Sequence, residues 1–264
     1  MQQKLVEPLS PWFNVVWIKV CSSHGGFPSR RTRSLTFSNV RDRLHWVGPT
    51  DPQEVQRDFD SFFSRQLMLD GDIYLQASVE EVEEVYKKML EKRQQYFDHE
   101  SDISVYGKGI LSSMLGPGQM SRLGAFADIY KEKSQKPFLA DCDHWPGSPG
   151  DTSGPLFPVQ LKHGCIYSFA KRRLAIASEH LAAQGWHVLG IHSSSRFASP
   201  LLPMLKELSS TQVKTLSGNG MSLPCIAAWF LYCFSNTIRV ESAKLLEEHA
   251  VAACNDDDDE TLFG

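Results

Sequence analysis

Between Leu216 and Phe234 the chain reads Leu-Ser-Gly-Asn-Gly-Met-Ser-Leu-Pro and then Cys-Ile-Ala-Ala-Trp-Phe-Leu-Tyr-Cys-Phe, a polar turn feeding its longest apolar run. Pro224 suits the first turn of a helix, where a missing N–H costs nothing. Leu223, Ile226, Ala227, Trp229, Phe230, Leu231 and Phe234 then lie around most of the circumference of a helix over 224–236, which predicts a helix covered on nearly every side. The chain alone is expected to leave part of this helix uncovered, as a patch larger than the few hundred Å² usual for soluble monomers. Gly218 and Gly220 flank Asn219, a pattern that predicts positive φ and N–H groups brought close to a bound group, although the same residues also serve as a plain connection.

With 264 residues, 42% of them hydrophobic and 22% charged, the chain can bury a sizeable core. The apolar run is too short for the roughly 20 residues of a membrane-spanning helix. Glu7 and Pro8 interrupt the place where a signal peptide needs a continuous apolar stretch. An intracellular protein with no membrane partner is the expectation. The six cysteines are scattered and form no CxxC pair, so reduced thiols are expected. Cys142-Asp143-His144 carries metal-capable side chains at a spacing that fits no zinc pattern, and no metal site is assigned. Charge is unevenly placed. Between Arg30 and Arg43 five arginines stand against the single acid Asp42, whereas Asn255 to Glu260 is purely acidic after its first residue. The acidic end reads as a disordered solubilising tail.

Local signals divide the rest. Phe13 to Val20 and Arg33 to Val40 read as neighbouring strands around a Gly-Gly-Phe-Pro loop. Asp51-Pro52 opens a helix to about residue 66, and the Ser78-Val79-Glu80-Glu81 capping box opens another to about residue 95. Residues 98 to 119 read as irregular, and 120 to 133 as a helix. Residues 141 to 158, rich in proline and glycine, read as a long loop, a class of segment that is either functional or disordered. Residues 161 to 169 predict a strand, 178 to 184 a short helix, and 199 to 208 another.

Taken in order, Pro28-Ser29-Arg30-Arg31-Thr32-Arg33, a variable middle, Arg173 with Glu179 six residues on, Gln184-Gly185-Trp186 and Gly218-Asn219 form a set. The set resembles the C-terminal half of the DNA cytosine-5 methyltransferases. There a Pro-Gln-x-Arg-x-Arg segment precedes a variable target-recognition region, then an Arg and a Glu, a Gln-Gly-aromatic and a Gly-Asn turn opening a helix. Ser29 stands for the family Gln, Ile176 for the usual Thr, and His187 follows Trp186 where Pro is common. The likeness covers roughly residues 12 to 40 and 158 to 238.

The resemblance implies an α/β fold: part of a Rossmann-like S-adenosylmethionine-dependent methyltransferase sheet, with an irregular α+β recognition region. In that reading residues 1–50 end the catalytic sheet, 51–172 form the recognition region, 173–245 carry the last motifs and the returning helix, and 246–264 the acidic tail. Arg31 and Arg33 would bind nucleic acid, since guanidinium groups pair bidentately with phosphate. A solvated surface turn is the alternative for them. Arg173, Glu179, Gln184 and Gly185 would support the recognition region, the first two as a buried pair or as decoration of a helix end. Gly218, Asn219 and Gly220 would lie beside the methionine end of S-adenosylmethionine.

The family's chemistry needs a Cys thiolate that attacks a flipped cytosine. No Pro-Cys-Gln, no Glu-Asn-Val and no aromatic-x-Gly-x-Gly is present. The one Pro-Cys, Pro224-Cys225, heads the apolar helix, so no catalytic residue is assigned. The expected partners are DNA and a missing N-terminal catalytic half or another subunit, in a nucleus if the source is eukaryotic. The alternatives are a non-catalytic DNA-binding or adaptor domain that has lost the methyl-transfer machinery, and an intracellular scaffold with chance matches.

Overall fold

The structure, a computed structural model, describes residues 7–97, 114–133, 136–189 and 198–242. In chain order its main elements are β1 (Phe13–Cys21), β2 (Thr32–Val40), β3 (Leu44–Trp46), α1 (Pro52–Phe63), α2 (Val79–Phe97) and α3 (Pro117–Glu132). There follow β4 (Leu139–Asp141), β5 (Ile166–Ser168), β6 (Arg173–Leu174), α4 (Ala177–Ala182), α5 (Leu202–Leu205), α6 (Ser210–Asn219), α7 (Leu223–Ser235) and β7 (Thr237–Arg239). The fold is mixed, with helices and small sheets, and both sheets whose register is defined are antiparallel.

The chain divides into two compact units that do not follow the consecutive blocks expected from sequence. Among the described residues, the first takes 7–20, Arg33–Ser64 and 226–242. The second takes Cys21–Thr32 and Arg65–Cys225, so helix α1 falls outside the unit that holds the rest of the expected variable region.

In the first unit β1 pairs with β2, and β3 pairs with β7. Asp51 starts α1 by accepting hydrogen bonds from the N–H groups of Gln53 and Glu54, as a capping aspartate should. The core is aromatic. Trp229 and Tyr232 of α7 stack at 5.7 Å, Phe59 of α1 meets both edge-on, and Trp46 of β3 closes on Tyr232 at 6.1 Å. Tyr232 also donates its hydroxyl to Asp58 at 2.8 Å. Helix α7 is thus covered on one side only. Leu223, Ala227, Phe230, Leu231 and Phe234, spaced three or four residues apart, remain exposed, the last at 66%. An apolar stripe left open on one side of this helix is what is expected of the chain alone.

In the second unit β4, β5 and β6 form a meander whose two faces follow the alternation of a strand. Ala140, Cys142, Cys165 and Tyr167 face a core completed by Val82, Tyr86 and Leu90 of α2 and Leu123 and Phe126 of α3. Leu139 and Ile166 face the opposite way, toward Leu75, Phe157 and Ala183. A third cluster, Ala177, Leu181, Val188 and Val213, joins α4 to α6. Ser78 and Glu81 form the expected capping box at the start of α2. The loop over 141–158 is ordered by its aspartates. Asp141 accepts from the N–H of Asp143 and lies 2.8 Å from His144 Nδ1, and Asp151 receives the N–H groups of Gly147 and Ser153.

Three local readings need correction. The strand expected over 161–169 is reduced to Ile166–Ser168, because the chain turns at Leu161–Gly164. The helix expected over 199–208 shrinks to Leu202–Leu205, and the longer helix is α6, started by Ser209 and Gln212. Finally, Gly218 and Asn219 end α6 and Gly220 is extended at φ −64°, so the Gly-Asn-Gly segment holds no positive φ. Most of the stretch read as irregular, and the acidic tail, lie outside the described residues.

Candidate functional site

Of the expected site residues of the second unit, Arg31, Gln184, Gly218 and Gly220 meet in one buried polar network. Segment 28–31 is fixed first by backbone pairing. Phe157 N donates to Pro28 O at 2.9 Å and Arg30 N to Phe157 O at 2.8 Å, which carries Arg31 to Gln160. The Arg31 side chain is 1% exposed. Its Nη1 donates to the backbone O and side-chain Oε1 of Gln160, at 3.4 and 3.2 Å. Its Nη2 donates to Gly218 O at 3.0 Å and to Gly220 O. Arg31 therefore does not face outward as a phosphate-binding cation; it ties the chain's early segment to the end of α6. Arg33, by contrast, stands half-buried on β2 in the first unit.

Gln184 enters the same network from the end of α4. Its Nε2 donates to Gln160 Oε1 at 2.9 Å and to Ser217 O, and its backbone O receives Leu223 N at 2.8 Å. Gly185 adopts φ +87°, and a Cβ there would stand 2.6 Å from Pro224 Cδ, so the Gln-Gly step is required both by conformation and by the approach of Pro224. Gly218 and Gly220 are glycine for space alone. A Cβ on Gly218 would meet Lys162 N at 2.7 Å, and one on Gly220 would meet Gln184 Oε1 at 2.4 Å. Asn219 is exposed. Within the network, Gln160 Nε2 and Gln184 Oε1 are buried without a hydrogen-bond partner among the described residues, leaving one donor and one acceptor. A buried water or a polar ligand group could satisfy them.

Arg173 and Glu179 form a bidentate ion pair, Nη1 to Oε2 at 2.8 Å and Nη2 to Oε1 at 2.5 Å. Glu179 is fully buried, and its carboxylate also receives the N–H of Ile176 at 3.0 Å and of Ala77 at 3.1 Å. The two roles left open by the sequence are one arrangement: the pair is buried, and Glu179 closes the start of α4. Beside it His180 is fully buried against the edge of Phe157, with neither ring nitrogen partnered among the described residues. Burial pushes its pKa well below the ordinary imidazole value.

Cys225 is buried, its sulfur 3.9 Å from Ser22 Oγ, and burial raises its pKa, as befits a packed thiol rather than a nucleophile. Among the described residues no group of three or more His, Cys, Asp or Glu is placed to hold a metal ion, and no helix is long and apolar enough to cross a membrane. Sequence reading missed Gln160 and Ser217. Gln160 carries no local signal, because its importance comes only from what reaches it; Ser217 adjoins a noticed motif and contributes only a carbonyl. No protein-family model and no curated protein matches the chain.

Proposed function

We propose that the chain is the C-terminal portion, or a diverged member, of an S-adenosylmethionine-dependent DNA cytosine-5 methyltransferase-like protein, with methyl transfer to cytosine residing in the complete enzyme. One observation carries the reading. Arg31, Gln184 and the end of α6 at Ser217 to Gly220, drawn from three motifs of which the first lies more than a hundred residues before the other two, meet in a single hydrogen-bonded network. Chance matches scattered over an unrelated scaffold have no reason to meet. A Rossmann-like sheet is part of the same proposal, with β1 and β2 as the strands nearest to the first motif.

When bound, S-adenosylmethionine supplies the methyl group. The described residues do not by themselves fit it: the glycine cradle assigned to it is filled by Arg31, Gln184 and the Lys162 backbone, and only Asn219 of the three faces solvent. In this proposal the network holds the end of α6 in place and Arg33 is the candidate phosphate contact. The buried, proton-retaining Cys225 favours a second reading, a DNA-binding or adaptor domain without chemistry of its own.

Fluorescence anisotropy on mixed-sequence duplex, with tritiated S-adenosylmethionine in parallel, tests both. Expected are salt-dependent binding, a salt slope lowered by about one unit in Arg33→Ala, and no label above background. Absence of binding at low salt would sink both readings. Label incorporation that disappears in Cys225→Ala would show the nucleophile to be wrongly excluded.

A further inference from the structure

The register of β4 against β5 pairs Asp141 with Ile166, and its next step sets Cys142 directly opposite Cys165. Cys142 N donates to Cys165 O at 2.8 Å, and the Cys142 thiol donates to the Ala140 carbonyl at 3.9 Å. Directly opposed residues of an antiparallel hydrogen-bonded pair lie about 5.5 Å apart at Cα. That separation is also the usual one for a disulfide. Both cysteines are reduced in the structure.

Their surroundings differ in a way that sets a direction. Cys142 is completely enclosed, whereas Cys165 lines a cavity of about 170 Å³ together with His163, Gln119 and Lys214. The volume exceeds that of a few small molecules of the size of water, each about 30 Å³. Lys214 donates Nζ to the carbonyl of Gly164 at 2.8 Å, which places an ammonium group beside the neighbouring Cys165. The Asp143 carboxylate, which accepts Cys165 N at 2.9 Å, opposes it. The neighbouring Cys142 thiol holds the Cys165 pKa below the ordinary thiol value despite burial, with Lys214 adding to it, and Cys165 pushes that of Cys142 up.

We propose that Cys142 and Cys165 form a dithiol site for hydrogen peroxide, with Cys165 as the attacking sulfur and Cys142 as the resolving thiol. In the first step the Cys165 thiolate attacks one peroxide oxygen, an S–O bond forms, the O–O bond breaks, and the leaving hydroxide takes up a proton as water. In the second, the Cys142 thiol gives up its proton and attacks the sulfenic sulfur. The S–S bond forms as the S–O bond breaks, and a second water leaves. Two thiols are oxidised and one peroxide is reduced to two waters. The oxidised hairpin is closed covalently beneath α2 and α3, and a dithiol reductant restores it.

Hydrogen peroxide added to the reduced, full chain, followed by alkylation, proteolysis and mass mapping, tests the proposal. The expected product is a Cys142–Cys165 linked peptide as the dominant disulfide, with both thiols lost together and recovered on adding dithiothreitol. In denaturant that selectivity should vanish. A linked peptide that is absent while other cysteines oxidise, or equally dominant in the denatured chain, overturns the proposal. The Cys142→Ser variant should trap a sulfenic acid on Cys165 that reacts with dimedone, whereas Cys165→Ser should trap none on Cys142. The reverse pattern overturns the assignment of roles, and the mapping on the unmodified chain stands whether or not either variant folds.

Discussion

Arg173 and Arg31 are both buried, yet Arg173 is held by a carboxylate six residues on, while Arg31 reaches acceptors 129 to 189 residues away. The first builds a corner: the β6 strand, the start of α4 and the N–H of Ala77 are fixed around one carboxylate. The second builds a tie, in which loop 157–160 and the end of α6 are brought to one guanidinium, and the end of α4 joins them through Gln160. The difference teaches that burial of an arginine does not itself reveal its work. A local ion pair fixes the geometry of one turn, whereas a fan of carbonyls fixes the distance between segments remote in the chain.

The sharpest way to break this contrast is to remove one half of the ion pair. Arg173→Ala leaves the fully buried Glu179 carboxylate uncompensated and should cost about 3–5 kcal/mol, read as a lower urea midpoint. Adding Glu179→Gln should restore part of it, because a neutral amide oxygen still accepts the N–H groups of Ile176 and Ala77. Gly185→Ala should follow at about 2 kcal/mol, from the φ of +87° and the crowding of Pro224, with the far-ultraviolet spectrum unchanged. Arg31→Lys keeps the charge and loses the fork that reaches several carbonyls, for about 1–2 kcal/mol. A loss in Arg31→Lys equal to that in Arg173→Ala would erase the distinction between tie and corner.

The smallest effect concerns pH. His180 lies next to Glu179 in sequence and is held neutral by burial. Below about pH 6.5 the unfolded chain binds a proton there that the folded chain does not, so stability should fall with falling pH by at most about 1.4 kcal/mol per unit. Subtracting the pH profile of His180→Gln from that of the parent isolates this slope, and a flat difference between pH 6.5 and 5.5 would mean that the imidazole is protonated in the fold.

The parts of this fold legible in sequence are those decided by neighbours in the chain. Asp51 and Ser78 cap their helices as their spacing requires, β-branched and aromatic residues mark β1, and weak alternation marks β2. Helix α6 was legible too, through Ser209 and Gln212, but Gly218 and Gly220 drew the eye to a turn. Both glycines answer to what passes beside them, the Lys162 backbone and the Gln184 side chain, and no local pattern records such an approach. The same limit applies to Arg31. Its charge is plain in the sequence; its burial depends on carbonyls at the far end of the chain.

That reach has a consequence for the order of events during synthesis. Local structure such as α2 or the β4–β5 hairpin can form as soon as its own residues are made, whereas contacts between remote segments must wait and carry the entropy of closing long loops. The Gly218 and Gly220 carbonyls that receive Arg31 emerge 187 and 189 residues after it. At roughly 5–20 residues per second, that interval lasts on the order of ten to forty seconds. The tie at Arg31 is therefore a finishing step, and the growing chain must keep a cationic segment soluble until its last third has been made.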